Sequence, residues 1–585
     1  MDHSGLISRR IAVLVVGIFA VAALFVGRLF WIQIVDGPRL AAESESRQTI
    51  EQTVLGIRGT VVDADGTILA ESVERYDITA SPKFAAEFTR DGAKITVEQA
   101  VSEIAAVTGG DPVAMLAAIR ADPDSDFTYL VKDVKVDVLR AVQELKIPWA
   151  YHDLRPSRTY PQGAVAGNLV GFMGTDGPLT GVEYYLNDCL EATNGSATYE
   201  RGADGIRIPG STVTHTESVD GGKVQLTIDS DLQWFSQQTL ATEAGNLGAA
   251  WATAMVVRIS DGHILAAADW PSVDPNNVDG STPENMGARL FTSPYEPGSI
   301  IKPLVVASMI ERGLISPYTE IVAPSRYTVA GGAKIKDSFE HAALNLTTNG
   351  VIVQSSNTGL STLAEGMTKK QRYEILTSWG MGSPTTVGFL GEDPGYVTNP
   401  DEVDDVTQFT QLFGQGMTVT SAQMAQIYQA LGNSGVLVPL TLVTKCTAPD
   451  GTSMHESSTE TRRIVSDDAA VQTIAMMENA AVFGSAANAV RVPGYRVAVK
   501  TGTAEVAKNG RYTDDRIISV AGLAPAENPQ YAVVVTIGMP KFRKSSYYAG
   551  PAFAAIMGQV LKYNRVPPSS GETMVYPIYW GKDAN

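Results

Sequence analysis

The segment Tyr295-Glu-Pro-Gly-Ser-Ile-Ile-Lys-Pro-Leu304 sets a hydroxyl and an amine three residues apart, at Ser299 and Lys302. A serine hydroxyl is a weak nucleophile until a neighbouring base takes its proton. Residues three apart on a helix are neighbours on one face, so the Lys302 amine is expected to reach the Ser299 hydroxyl. Pro303 has no N–H and is tolerated only in the first turn, which puts the expected helix start at about Ser299 or Ile300. Pro297-Gly298 turns the chain in, and the apolar run from Leu304 ends at Gly313 as a glycine stop. Ser299 would then sit at the positive end of the helix dipole, which favours alkoxide character at Oγ and disfavours a proton on Lys302. Both effects suit a neutral lysine acting as general base.

Ser299-x-x-Lys302 is the only Ser-x-x-Lys in the chain, and two more singletons follow it. They are Ser355-Ser-Asn357, the only Ser-x-Asn, and Lys500-Thr-Gly502, the only Lys-Thr-Gly. Taken singly, Ser355 reads as a turn or capping serine, Thr501 and Thr503 as ordinary strand residues, and Lys500 as a solvated charge. Their order and spacing match the motif set of the serine-active penicillin-recognising enzymes. The chain resembles the class B penicillin-binding proteins, membrane-anchored transpeptidases that cross-link bacterial cell wall. Arg58-Gly59, Asp63-Ala-Asp-Gly66, Arg158-Thr-Tyr-Pro161 and Leu179-Thr-Gly-Val-Glu183 look like that family's pedestal motifs. Leu226-Thr-Ile-Asp-x-x-Leu-Gln233 and Phe413-Gly-Gln-Gly416 look like its transpeptidase domain. Glu74-Arg-Tyr-Asp-Ile-Thr79 is most similar to the division-specific, septal type. Ile300, Ile301 and Gly484-Ser485 depart from the family pattern at positions that carry no chemistry.

The resemblance implies that Ser299 attacks the carbonyl of a stem peptide ending in D-Ala-D-Ala, with Lys302 as base and Ser355 relaying the proton to the leaving amine. Lys500 adds positive charge that lowers the pKa of Lys302 and itself remains a cation. Asn357 would hold the peptide backbone, and Thr501 and Thr503 would share one strand face and bind the terminal carboxylate. Gly502 would let substrate pair closely with that strand. The N–H groups of Ser299 and Thr503 would form the oxyanion hole. β-Lactams are the implied covalent inhibitors, and a membrane glycosyltransferase and other division proteins the implied partners. No cofactor and no metal are expected. Two alternatives carry the same motifs: a D,D-carboxypeptidase or β-lactamase-type hydrolase, whose second base could be Glu392 or Glu402, and a penicillin-binding sensor or scaffold without turnover.

The elements that must position these residues are legible as patterns. Arg58–Ala70 reads as a hairpin about an Asp-Gly turn. Helices are expected near Val97–Val107 and Pro112–Ile119, then a strand over Phe127–Val134 and a helix to about Leu145. Val224–Asp229 reads as a strand and Leu232–Glu243 as a helix. Trp251–Ser260 and His263–Trp270 read as a hairpin, and Tyr495–Ala504, Ile517–Ala524 and Tyr531–Met539 as strands, with Tyr495–Ala504 at the edge. Ala552–Tyr563 closes as a helix. Strands at both ends of a domain with helices between them describe an α+β fold, an antiparallel sheet flanked by helices.

At 585 residues the chain needs more than one core, and 44% apolar with 18% charged residues is globular composition. A net charge of −18 argues against nucleic acid as a partner. Ile11 to Gly27 carries no charged side chain and the apolar character resumes at Leu29, enough to cross the ~30 Å hydrocarbon layer. Arg9 and Arg10 before it predict a cytoplasmic N-terminus and an exported remainder. The expected divisions are a tail over 1–10, the span over 11–35, a pedestal over 36–221, the transpeptidase domain over 222–563 and an irregular tail over 564–585. Cys189 and Cys446 fall in different domains of that scheme and read as buried free thiols.

Overall fold

The computed structural model describes residues 3–39, 49–174, 176–200, 210–455, 459–508 and 510–581. Parts of the expected tails and pedestal, including 582–585 and 201–209, lie outside the described residues. The chain forms two compact units, one of Met1–Ile57, Val73–Ser157 and Ala192–Asp220, the other of Arg58–Ser72, Arg158–Glu191 and Gly221–Asn585.

In the first unit, Ile7–Val35 is long and apolar enough to cross a membrane, and none of it is buried in the protein. A sheet of Tyr76–Ala80 between Thr128–Val134 and Ala150–Leu154 is covered by the helices Val97–Thr108, Pro112–Ala121 and Val136–Glu144. Thr96 and Gln99 close a capping box on the first of these helices, and Asp111 caps the second. Ile78, Ile104, Met115 and Trp149 are buried beneath them.

The second unit is built on a five-stranded antiparallel sheet, in the order Ile264–Trp270, Trp251–Arg258, Tyr531–Gly538, Arg511–Ala524, Ala498–Lys508. The Tyr531–Gly538 strand is buried along its whole length, as a central strand covered on both faces must be. Ala498–Lys508 is the edge strand, and it carries Lys500-Thr-Gly502. The helices Ser230–Leu247 and Gly550–Tyr563 pack against this sheet. The antiparallel α+β architecture is the one the sequence pattern describes.

Four expectations change or sharpen. The Val224–Asp229 strand, observed as Lys223–Leu226, joins no strand of the five-stranded sheet. It pairs with Thr60–Val62 and Val443–Thr447 in a separate six-stranded sheet. The segments 58–72 and 158–191, placed in a 36–221 pedestal by sequence order, therefore group with the second unit. At their centre is Glu183, whose buried carboxylate accepts from Arg58 Nε at 2.8 Å and Arg158 Nε at 2.6 Å. Cys189 and Cys446 consequently lie in one unit and form a disulfide, not two free thiols. Finally, the tail after Arg565 is irregular but packed. Asn349 and Asn479 donate to Tyr576 O and Met574 O, and Thr347 Oγ1 donates to Pro577 O.

Candidate active site

Gly298, at φ +61°, opens a 3₁₀ turn over Gly298–Ile301, and the α-helix follows over Lys302–Glu311. The helix thus starts two or three residues later than expected, with Pro303 as its second residue, inside the first turn. Ser299 sits in the 3₁₀ turn, half-buried. Ile300 and Ile301 are fully buried, so these departures from the family pattern serve the core. The turn is held from outside: Tyr428 Oη donates to Ile300 O at 2.8 Å, and Gly298 N donates to Gly414 O at 3.0 Å.

Lys302 is 0% exposed. Its Nζ donates to Ser355 O at 2.6 Å and to Asn357 Oδ1 at 2.8 Å, with Ser355 Oγ at 3.5 Å, and lies 5.9 Å from the centre of the Phe413 ring. Among the described residues no hydrogen bond joins it to Ser299 Oγ, so the direct contact that the three-residue spacing suggests is not made. Burial holds its pKa well below the usual lysine range; the neighbouring Lys500 lowers it further, and Asp337 opposes both. A neutral amine has two N–H bonds and one lone pair. The two short bonds use both N–H groups and leave the lone pair free to take a proton.

The helix Thr348–Gln354 ends at Ser355, which adopts φ +55°, and the next helix starts at Asn357. That reversal puts the Ser355 hydroxyl between the two lysines, where it accepts from Lys500 Nζ at 2.9 Å. Lys500 is 2% exposed and also donates to Thr501 O at 3.0 Å. Burial brings its pKa down to about 7, which works against the charge that the sequence reading gives it. Asn357 Oδ1 is taken by Lys302 and Nδ2 donates to Lys336 O at 3.1 Å, leaving one amide hydrogen for a ligand.

Thr501 and Thr503 alternate with buried neighbours on the edge strand; Thr501 is half-buried and Thr503 exposed. Gly502 has a different neighbour from the expected substrate. A Cβ there would lie 2.9 Å from Pro297 O and 3.1 Å from Ile300 N, so the glycine lets the strand press on the nucleophile turn. Lys302, Ser355, Asn357 and Lys500 are thus linked by hydrogen bonds, Gly502 packs on the turn that carries Ser299, and Thr501 and Thr503 flank Gly502 on its strand. Glu392 is tied to Thr385 N at 2.9 Å, and among the described residues neither it nor Glu402 hydrogen-bonds any of these groups.

Two contributors escaped the sequence reading. Glu296, beside the nucleophile turn, accepts from Gly416 N and Tyr512 Oη, each at 3.0 Å; its place within the motif segment was the only available signal. Asp337 accepts from the backbone N–H of Thr358 at 2.9 Å and of Asn357 at 2.5 Å, and from Ser356 Oγ at 2.6 Å. It stands in a turn-rich stretch without periodicity, and nothing in the sequence marks it.

Residues 252–561 match the family model of the penicillin-binding protein transpeptidase domain, and residues 53–178 that of the penicillin-binding protein dimerisation domain. The chain is 32% identical to the peptidoglycan D,D-transpeptidase FtsI of Escherichia coli K12, over 97% of this chain and 94% of that protein. Among solved structures, a peptidoglycan synthetase from Bifidobacterium adolescentis superposes with a TM-score of 0.73 at 30% identity, covering 91% of this chain and all of that one. Penicillin-binding protein 3 of Mycobacterium tuberculosis, solved in complex with ampicillin, gives 0.69 at 26% identity with the same coverage.

Proposed function

Because the chain belongs to the class B penicillin-binding proteins, of the division-specific transpeptidase type, we propose that Ser299 is the acylated nucleophile of a membrane-anchored peptidoglycan D,D-transpeptidase. Lys302 takes the Ser299 proton as the hydroxyl attacks the penultimate D-Ala carbonyl of a stem peptide. The tetrahedral oxyanion is met by the N–H groups of Ser299 and Thr503, and such a donor is worth roughly 2.7–4 kcal/mol of transition-state stabilisation. Ser355, bridging Lys302 and Lys500, passes the proton to the departing D-Ala. Thr501, Thr503 and the charged form of Lys500 bind the terminal carboxylate, and Asn357 the peptide backbone. An amine from a second strand then attacks the acyl-enzyme and completes the cross-link. β-Lactams enter as analogues of the same peptide.

The observation that carries this reading is the Lys302–Ser355–Lys500 chain. It joins all three motifs through part-buried hydrogen bonds. The absence of a carboxylate hydrogen-bonded to these groups among the described residues favours transfer over rapid hydrolysis. For topology, Arg9 and Arg10 precede the span, which fits a cytoplasmic N-terminus. A Cys189–Cys446 disulfide fits an oxidising compartment for the second unit. The N-terminal helix and the first unit are the places where a membrane glycosyltransferase and other septal proteins would meet the chain.

The test is labelled penicillin followed by peptide mapping. A lasting adduct on Ser299, absent from Ser299→Ala with an unchanged melting profile, is expected. Rapid loss of label would assign a hydrolase, and a folded protein that takes no label would assign a scaffold.

A further inference from the structure

Behind the Ser355-Ser-Asn357 turn lies a carboxylate with no counterpart among the three motifs. Asp337 follows the Lys334–Lys336 strand and its side chain is fully buried. Oδ1 accepts from the N–H groups of Asn357 and Thr358; Oδ2 accepts from Ser356 Oγ at 2.6 Å, from Thr358 Oγ1 at 3.3 Å and faces His341 Nε2 at 3.1 Å. The two N–H groups belong to the first turn of the Asn357–Leu363 helix, where N–H groups have no partner within the helix. The His341 ring closes the set from the other side. Its Nδ1 lies 2.5 Å from Ala342 O and its Nε2 faces Asp337, so both nitrogens meet oxygen atoms.

We propose that Asp337 is a positioning residue of the acylation step: its carboxylate fixes the turn that places Ser355 and Asn357 on Lys302, and it sets a negative charge behind that turn. The inference rests on the reading of Lys302 as the base. Two charged groups bear on the Lys302 amine. Lys500 from the edge strand disfavours its proton and Asp337 favours it. The Ser355, Asn357 and Phe413 groups around the amine carry no charge. Asp337 thus keeps the base from being so weak that it cannot hold the Ser299 proton.

Asp337→Asn keeps the shape of the side chain. Its carbonyl accepts the two N–H groups, and its amide faces the Ser356 hydroxyl and a His341 ring nitrogen. The readout is the pH profile of second-order acylation by labelled penicillin, which reports the free enzyme's base. The rising limb is expected to move to lower pH by about one unit, the size typical of removing one nearby opposite charge. Asp337→Ser keeps a small hydrogen-bonding side chain but not the charge, so its limb is expected to move the same way. This second variant keeps the test open if Asp337→Asn does not fold. A limb that stays in place in the folded variants, whatever the rate, overturns the proposal, because a purely structural carboxylate would change the rate at every pH alike. If instead the unsubstituted protein shows no rising limb, or Lys302→Arg acylates normally, the reading of Lys302 itself has failed.

Discussion

Removing the Cys189–Cys446 cross-link should weaken the second unit by several kcal/mol. The two cysteines are 257 residues apart, so the bond closes a loop that spans more than half of that unit's sequence. In the chain-entropy model the cost removed from the unfolded state grows with the logarithm of loop length, and a loop of this size gives about 5–6 kcal/mol at 25 °C. Measured effects fall below such values when the reduced chain keeps residual structure, so about 3–5 kcal/mol is the expected loss. Both sulfurs are buried, and truncating them to Ala also leaves a small void. Comparing oxidised protein, the same protein unfolded under dithiothreitol and the Cys189→Ala/Cys446→Ala variant therefore separates cross-link from packing. The assay is urea unfolding of the soluble portion lacking the span, followed by tryptophan fluorescence, with thiol titration of the denatured protein alongside. Two titratable thiols before reduction, or identical unfolding midpoints with and without reductant, would refute the reasoning and restore the pair of free thiols that the spacing alone suggests.

Acylation should follow a bell-shaped pH profile. Neutral Lys302 is present only above its depressed pKa, giving the rising limb, and cationic Lys500 only below about 7, giving the falling limb in the free enzyme. A plateau continuing to pH 10 would exclude Lys500 from carboxylate binding. Lys500→Met should abolish acylation yet raise the melting temperature at pH 7. The native pKa of about 7 lies below the unfolded value, so stability climbs as pH rises from about 7 to about 10.5, and at neutral pH most of a burial cost of a few kcal/mol is still present. An unchanged or lower melting temperature would count against that sign. Glu183→Ala should destabilise the second unit by about 3–5 kcal/mol, since it leaves the Arg58 and Arg158 guanidinium groups without their shared carboxylate. A loss under 1 kcal/mol in denaturant unfolding would show that the two arginines find other partners.

What the sequence made legible follows a physical divide. The Trp251–Arg258 hairpin and the helices Val97–Thr108 and Pro112–Ala121 are local: alternation, turn residues and caps specify them within a dozen residues, and they fold where the pattern puts them, whereas the edge strand expected over Tyr495–Ala504 runs over Ala498–Lys508. The three motifs were visible because their residue types are bound to chemistry and to order. The larger misreadings concern pairings between distant segments. Val224 and Thr60 are neighbouring strands in a parallel register that no local pattern encodes, and Cys189 was assigned by position when its unit is set by that same sheet. The helix start failed on a smaller scale, where one proline selects between two kinds of turn. Asp337 belongs to the same class: its significance lies in five donors brought from Ser356, Asn357, Thr358 and His341, and an isolated aspartate in a turn-rich stretch looks like any solvated one. Reading the motifs alone therefore finds the groups that react, whereas the groups that set their geometry and charge become visible only once the chain has closed around them.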